Sequence, residues 1–242
     1  MKEPNNEEAR RAWLASQLGS FPDNLTILDV GAGECQYKPL CEHLRYTAQD
    51  VAEYDGGGNQ RGLHTGDWDF SQIDIRCDIL DIPEDTQYDI VLCTEVLEHV
   101  PDPVASLKKL ARLVADGGYM VVTAPFISAT HFAPYHFATG FSEYFYRHHL
   151  PEAGFEIEVL EPNGGYFDFM AQELIRARGM SRKYVGQEAG VVPSLMFKLA
   201  RYLMKKMARL DGPRGNRNSS EFLTFGWHVR ARKISKPETV RD

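Results

Sequence analysis

The chain has 242 residues, of which 43% are hydrophobic and 25% charged, with a formal net charge of −7, figures that exclude a disordered tail or a fibrous repeat. The length suits one large α/β domain, or a domain of about 200 residues carrying an insertion. From Met196 to Asp242 there are 12 Lys or Arg against 4 Asp or Glu, so the preceding body is strongly acidic, which argues against nucleic acid as a partner because phosphate binding needs a basic face.

The start, MKEPNNEEARR, is acidic and polar where a signal peptide would be basic then apolar, and no apolar run approaches the ~20 residues that cross a bilayer. A cytoplasmic protein is expected. Residues 7–18, with Ala9, Trp13, Leu14 and Leu18 spaced among charges, suit an amphipathic helix ended by Gly19. Leu25–Val30 is a short apolar run stopping at Gly31-Ala32-Gly33, with helical spacing resuming over Tyr37–Leu44. Tyr46–Asp50 reads as a second strand, Asp55–Asn59 as a flexible glycine loop and Asp74–Ile79 as a third strand. Tyr88–Thr94 is a strongly apolar strand, followed by a helix over Pro103–Ala115, a break at Asp116-Gly117-Gly118 and a strand over Tyr119–Ala124. Phe141–Ala153 reads as helix, Phe155–Leu160 as strand and Phe222–Arg232 as a final strand, with a helical insertion between the last two. Apolar strands alternating with helices imply a mostly parallel sheet covered on both faces, a doubly wound α/β fold. The segments are an N-terminal helix over 1–24, a cofactor-binding core over 25–165, a helical insertion over 166–220 and a closing strand and tail over 221–242. Cys35, Cys41, Cys77 and Cys93 form no C-x-x-C pair and are expected to be core-packed thiols in a reducing compartment.

The first strand-to-helix turn of such a fold is where a nucleotide approaches the backbone. A dinucleotide fingerprint would place a third glycine at position 36, but Gln36 stands there, and Glu34 sets a carboxylate where a diphosphate would lie. An acidic turn suits a cationic ligand better. Asp50 ends the second strand 19 residues after Gly31, close to the spacing at which a carboxylate accepts ribose hydroxyls.

Taken together, LDVGAGE, QDV, CDILDIP and YDIVLCTEVLEHVPDP resemble, in order and spacing, the class I S-adenosylmethionine-dependent methyltransferases over roughly Leu25–Ala124. The resemblance implies a Rossmann-like seven-stranded sheet with an antiparallel last strand. It implies S-adenosylmethionine as cofactor, with Asp29, Gly31, Ala32 and Gly33 at the amino-acid end, Asp50 on the ribose, Asp78 and Ile79 at the adenine edge, and Thr94 facing the methionine portion. The segment beyond the fifth strand is similar to bacterial enzymes of polysaccharide, glycolipid and natural-product pathways, which points to a small-molecule, sugar or lipid-linked acceptor. It departs from them where His136-Phe137-Ala138-Thr139 replaces their acidic-aromatic-Arg-Phe-Thr stretch. O-methylation is the expected reaction, with N- or C-methylation, a nicotinamide-dependent oxidoreductase or a non-catalytic cofactor-binding relative as alternatives.

An oxygen acceptor must lose its proton as the methyl arrives, and a neutral imidazole can take it. Four of the eight histidines, His131, His136, His148 and His149, fall within 19 residues. His136 is the expected base ahead of His131 and His99, while His148 and His149 read as surface residues of the following helix. Glu95, Glu98 and His99 match the E-x-x-E-H pattern of the ubiquinone-biosynthesis O-methyltransferases, which would imply a divalent metal; no metal is the expectation. Over residues 195–210, Lys198, Arg201, Lys205, Lys206 and Arg209 share an arc of ~140°, with Met196, Leu199, Leu203, Met204, Met207 and Leu210 opposite. This basic amphipathic helix is expected to pack as a lid or homodimer contact, ahead of the alternative that it lies peripherally on the inner membrane face.

Overall fold

The computed structural model describes residues 6–57, 59, 62–63, 66, 68–186, 190–211 and 218–234. Its elements in chain order are α1 (Asn6–Leu18), β1 (Thr26–Val30), β2 (Arg45–Asp50), β3 (Ile75–Arg76), β4 (Tyr88–Thr94), α2 (Pro103–Leu113), β5 (Val114–Pro125), α3 (Glu143–Glu152), β6 (Phe155–Pro162), α4 (Tyr166–Met180), α5 (Val191–Leu210) and β7 (Gly226–Lys233). The strands form one sheet in the order β3-β2-β1-β4-β5-β7-β6. β1 to β5 pair in parallel, and β7 runs antiparallel to β5 with Val122 opposite Val229. This is the expected doubly wound α/β sheet with its last strand reversed.

Period-two alternation explains why the sheet is covered on both faces. Ile27, Ile90, Leu92 and Val121 point to one side, where they pack with Leu14 and Leu18 of α1. Leu28, Val91, Cys93, Met120 and Val122 point to the other, where they meet Leu107 and Leu110 of α2 and Tyr146 and Leu150 of α3. The four cysteines are free thiols, three of them buried. Asp102 caps α2 by accepting the Ala105 N–H at 2.9 Å, and Pro103 sits at its first turn, where its missing N–H costs nothing.

Several expected elements differ: the third strand, expected over Asp74–Ile79, is Ile75–Arg76 alone, and the last, expected from Phe222, starts at Gly226. The helix expected over Tyr37–Leu44 is a single 3₁₀ turn, Lys38–Leu40, because Pro39 starts a turn that Cys41 ends and the chain must reach β2 at Arg45. The helix expected to run to Ala115 stops at Leu113, and Asp116-Gly117-Gly118 lies inside β5 at an irregularity in its pairing with β4. The glycines serve a bulge there and not a helix cap. Of the expected glycine loop, Gly58 lies outside the described residues.

The chain divides into two units, residues 1–161 with 226–242, and residues 162–225. In the second unit α4 packs against α5. Asp211, beyond α5, accepts the Ser219 N–H at 3.0 Å, and Ser219 Oγ accepts the Tyr166 N–H at 2.9 Å at the head of α4. The half-buried residues of α5 include Phe197, Ala200, Met204 and Ala208. Leu195, Met196, Leu199, Leu203, Met207 and Leu210 form an exposed apolar stripe, bordered by exposed Lys198, Lys206 and Arg209. Among the described residues no helix is long and apolar enough to cross a membrane.

His228 of β7 is buried against Trp13 of α1, ring centroids 4.8 Å apart. Burial, with the Arg10 charge beside it, pushes its pKa down to about 4. The unfolded imidazole takes its proton near ~6.5, so His228 removes up to about 3 kcal/mol of stability as pH falls from 6.5 to 4. His228→Phe is expected to flatten the decline in urea midpoint between pH 7.5 and 4.5 by about one proton's worth. An unchanged slope contradicts this assignment.

Candidate functional site

In an open α/β sheet, ligands bind beyond the carboxyl ends of the strands where the strand order reverses. Here the reversal lies between β1 and β4. A cavity of ≈ 270 Å³ opens at that point, with Gly31 after β1, Asp50 at the end of β2, Cys77 and Asp78 after β3, and Glu95 and Val96 after β4 on its wall. The backbone is left-handed at Gly31 (φ 66°), Ala52 (φ 56°) and Glu95 (φ 55°). For the two non-glycine residues this costs about 1–3 kcal/mol each, strain of the kind that gathers at functional sites. At Gly31 a Cβ would come within 2.4 Å of the Val96 side chain, so both conformation and space demand glycine.

Of the residues expected to hold a cofactor, Gly31, Asp50, Asp78 and Ile79 line the cavity. Asp50 Oδ2 accepts the Gly33 N–H at 2.9 Å and Oδ1 the Ala52 N–H at 2.7 Å. The carboxylate therefore shapes the glycine turn, and each oxygen keeps capacity for a further hydrogen bond on a residue that lines the cavity. Asp78 Oδ1 caps the following turn through the Leu80 N–H at 2.8 Å. Asp29, Ala32, Gly33 and Thr94 lie off the wall. Asp29 is buried, accepts the Tyr46 hydroxyl at 2.5 Å, and is pushed up to about 7 by desolvation. Ala32 packs with Cys35, Ala48 and Ile73. The bare face of Gly33 meets the Trp68 ring, 2.4 Å from where a Cβ would stand. Glu34 accepts the Asp69 N–H at 3.2 Å, anchoring the segment that carries Trp68.

The aromatic wall has no counterpart among the expected residues. Tyr54, Trp68 and Phe132 meet edge to face at 4.8–5.9 Å, and all three line the cavity with Phe70, Tyr135 and Phe137. Loop pairing brings them there: Leu63 N–H donates to Thr130 O at 3.0 Å and Asn59 N–H to Ala133 O at 3.1 Å. The concentration of aromatic residues in FISATHFAPYHF was the available signal for Phe132, Tyr135 and Phe137.

The three candidate histidines do come together. The ring centroid of His131 is 4.6 Å from that of His99 and 5.1 Å from that of His136. His99 lines the cavity, on the short turn Leu97–His99 that follows β4. His131 and His136 stand behind it, with His136 Nε2 3.1 Å from Ser128 Oγ. Burial, reinforced by the neighbouring imidazoles, lowers His99 to about 4, and burial with His131 beside it also lowers His136. Glu98 is almost fully buried between this group and β4, where desolvation and the Glu95 charge push its carboxyl well up. His148 is exposed and pairs with Glu152 at 3.6 Å, while His149 is half-buried against Phe145, ring centroids 4.8 Å apart. The E-x-x-E-H set is split: Glu95 Oε2 pairs with Arg10 at 2.9 Å and its Oε1 accepts the Thr123 hydroxyl at 3.0 Å. Glu98 and His99 remain together without it.

Comparison with known proteins gives a match to the family described as methyltransferase domain over residues 4–175. A ubiquinone biosynthesis O-methyltransferase of Leptothrix cholodnii is 28% identical over 120 residues, 47% of this chain and 49% of that protein. Its namesake from Acinetobacter baylyi is 32% identical over 117 residues, 46% of this chain and 48% of that protein. The chain thus spans about half the length of the curated relatives it matches. Among solved structures, a SAM-dependent methyltransferase from Archaeoglobus fulgidus superposes with a TM-score of 0.53 at 15% identity, covering 95% of each chain, a likeness of fold.

Proposed function

The chain belongs to the methyltransferase domain family, and from that premise we propose that it moves a methyl group from S-adenosylmethionine to a hydroxyl oxygen of a small-molecule acceptor. The observation that carries the reading is the switch-point cavity, which joins carboxylates, a glycine turn, an aromatic wall and an imidazole group. The donor set fits the cofactor: Asp50, Glu53 and Asp78 offer acceptors for hydroxyl, amino and cationic groups, and Gly31 brings bare backbone to the cavity wall, its missing Cβ making room for the Val96 side chain. When bound, S-adenosylmethionine supplies a methyl group already activated by sulfonium charge.

The chain's own residues do the rest. Asp50, at the end of β2, and Asp78, in the turn after β3, hold the nucleoside portion. Trp68, Tyr54 and Phe132 exclude water and attract positive charge to their faces. The hydroxyl proton leaves toward the histidine group, of which His99 stands on the wall, with His131 and His136 behind it to carry charge away. The relatives named ubiquinone biosynthesis O-methyltransferase support oxygen as the accepting atom. The acceptor is a small, sugar or lipid-linked molecule.

Incubation with methyl-labelled S-adenosylmethionine and a panel of phenolic, sugar and glycolipid acceptors tests this. Label is expected as an alkali-stable ether on oxygen. Label found on nitrogen or carbon, with none on oxygen, overturns the oxygen assignment.

A further inference from the structure

We propose that Glu98, His99 and His131 form a binding site for one divalent first-row transition-metal ion on the wall of the cavity. The three potential ligand atoms, one from each side chain, lie within 4.8 Å of one another. His99 and His131 come from different segments, the turn after β4 and the loop after β5. The loop is fastened over the turn by the Phe137 and Ala138 N–H groups, which donate to Glu98 O at 2.9 and 3.2 Å.

The tautomers follow from the outer contacts. His99 Nδ1 lies 2.5 Å from Tyr135 O and His131 Nδ1 2.9 Å from Ala129 O. A carbonyl oxygen only accepts, so both Nδ1 atoms carry the proton and both Nε2 atoms present a lone pair. Those lone pairs face the same carboxylate oxygen: Glu98 Oε1 is 3.7 Å from His99 Nε2 and 4.0 Å from His131 Nε2. This is how metal-binding histidines are commonly held, with the outer nitrogen fixed on a backbone carbonyl.

Separation decides what belongs between these atoms. A shared proton would draw each pair to about 2.7–3.2 Å. Metal bonds of about 2.0–2.2 Å at ordinary coordination angles set ligand atoms about 3–3.6 Å apart. The two gaps from Glu98 Oε1 to the imidazole Nε2 atoms, 3.7 and 4.0 Å, need to contract by only a few tenths of an ångström for a metal, in a set of ligand atoms that all lie within 4.8 Å. Two buried polar atoms point to the same conclusion, since His99 Nε2 and Glu98 Oε2 have no hydrogen-bond partner among the described residues. Unpartnered buried polar atoms are uncommon and signal an ion or water. Two imidazoles and one carboxylate favour Zn²⁺, Co²⁺ or Fe²⁺ over Mg²⁺, which prefers oxygen ligands. His99 and His131 keep some solvent access, 15% and 23% of the side chain exposed, so an ion can enter and retain open positions. The ligand set excludes Glu95, which is committed to Arg10 and Thr123.

An ion held here engages the His99 Nε2 lone pair, so it takes the place of the acceptor's proton on that nitrogen and the two do not occupy it together; binding of the ion does not rest on the proposed methyl transfer. The test therefore uses the full chain, stripped with chelator and without cofactor or acceptor, titrated with Co²⁺ and followed by its visible absorption. One equivalent is expected to bind with micromolar or tighter affinity, displaceable by Zn²⁺ and not by millimolar Mg²⁺. His131→Ala and Glu98→Gln, each checked for native circular dichroism, are expected to weaken binding by at least about 10- to 100-fold, and Glu95→Gln to leave it unchanged. Absence of stoichiometric binding by the wild-type chain overturns the proposal and leaves a water as the occupant. So does binding that survives His131→Ala, or binding that Glu95→Gln abolishes. Should Glu98→Gln fail to fold, His131→Ala alone decides.

Discussion

Replacing Asp50 by alanine is expected to weaken binding of S-adenosylhomocysteine by about 10²- to 10³-fold while the sheet survives. Two effects combine. The carboxylate on the cavity wall is the acceptor offered to a ribose, and two hydrogen bonds to a charged group are worth about 1.5–3 kcal/mol each. The same oxygens hold the Gly33 and Ala52 N–H groups, so their loss also loosens the turn that frames Gly31. Asp50→Asn separates the two contributions, since one acceptor oxygen remains and only the charge and the second acceptor are removed. An intermediate loss is expected for it. Calorimetric titration of the folded variants supplies the measurement. Unchanged affinity for Asp50→Ala places the ligand elsewhere.

His99→Asn is expected to lower kcat by about 10²- to 10⁴-fold with little change in the KM for S-adenosylmethionine. Asparagine retains a donor that can reach Tyr135 O, the partner of His99 Nδ1, so the loop can stay in place. What is lost is the lone pair on the cavity wall. His136→Ala is expected to cost less, because His136 stands behind the wall with its Nε2 on Ser128. Steady-state rates across pH 6 to 9 check both variants. Equal losses would move the essential imidazole to His136, and no loss for His99→Asn would remove His99 from the reaction.

The parts of the fold legible in the sequence are those with strong periodic or apolar character. Thr26–Val30, Tyr88–Thr94 and residues 119–124 of β5 lie at the centre of the sheet and are largely buried, and such strands read as continuous apolar runs. The segment after Gly33 was misread because spacing alone does not reveal that Pro39 and the short reach to Arg45 leave room for one turn. In the site, Gly31, Asp50 and Asp78 were legible because strand ends in a doubly wound sheet face the ligand. Tyr54 and Trp68 were not, since they arrive on aperiodic loops whose position depends on pairing between Leu63 and Thr130. The approach of Glu98 to His131 joins residues far apart in sequence. No local pattern announces it.

Occupation of the switch-point cavity by the methyl-donor cofactor is measured most directly by calorimetric titration of the wild-type chain with S-adenosylhomocysteine and, in parallel, with NADH. The predicted result is one-to-one binding of S-adenosylhomocysteine that disappears in Asp50→Ala, with no heat from NADH. One-to-one binding of NADH, without binding of the sulfur ligand, would contradict the account.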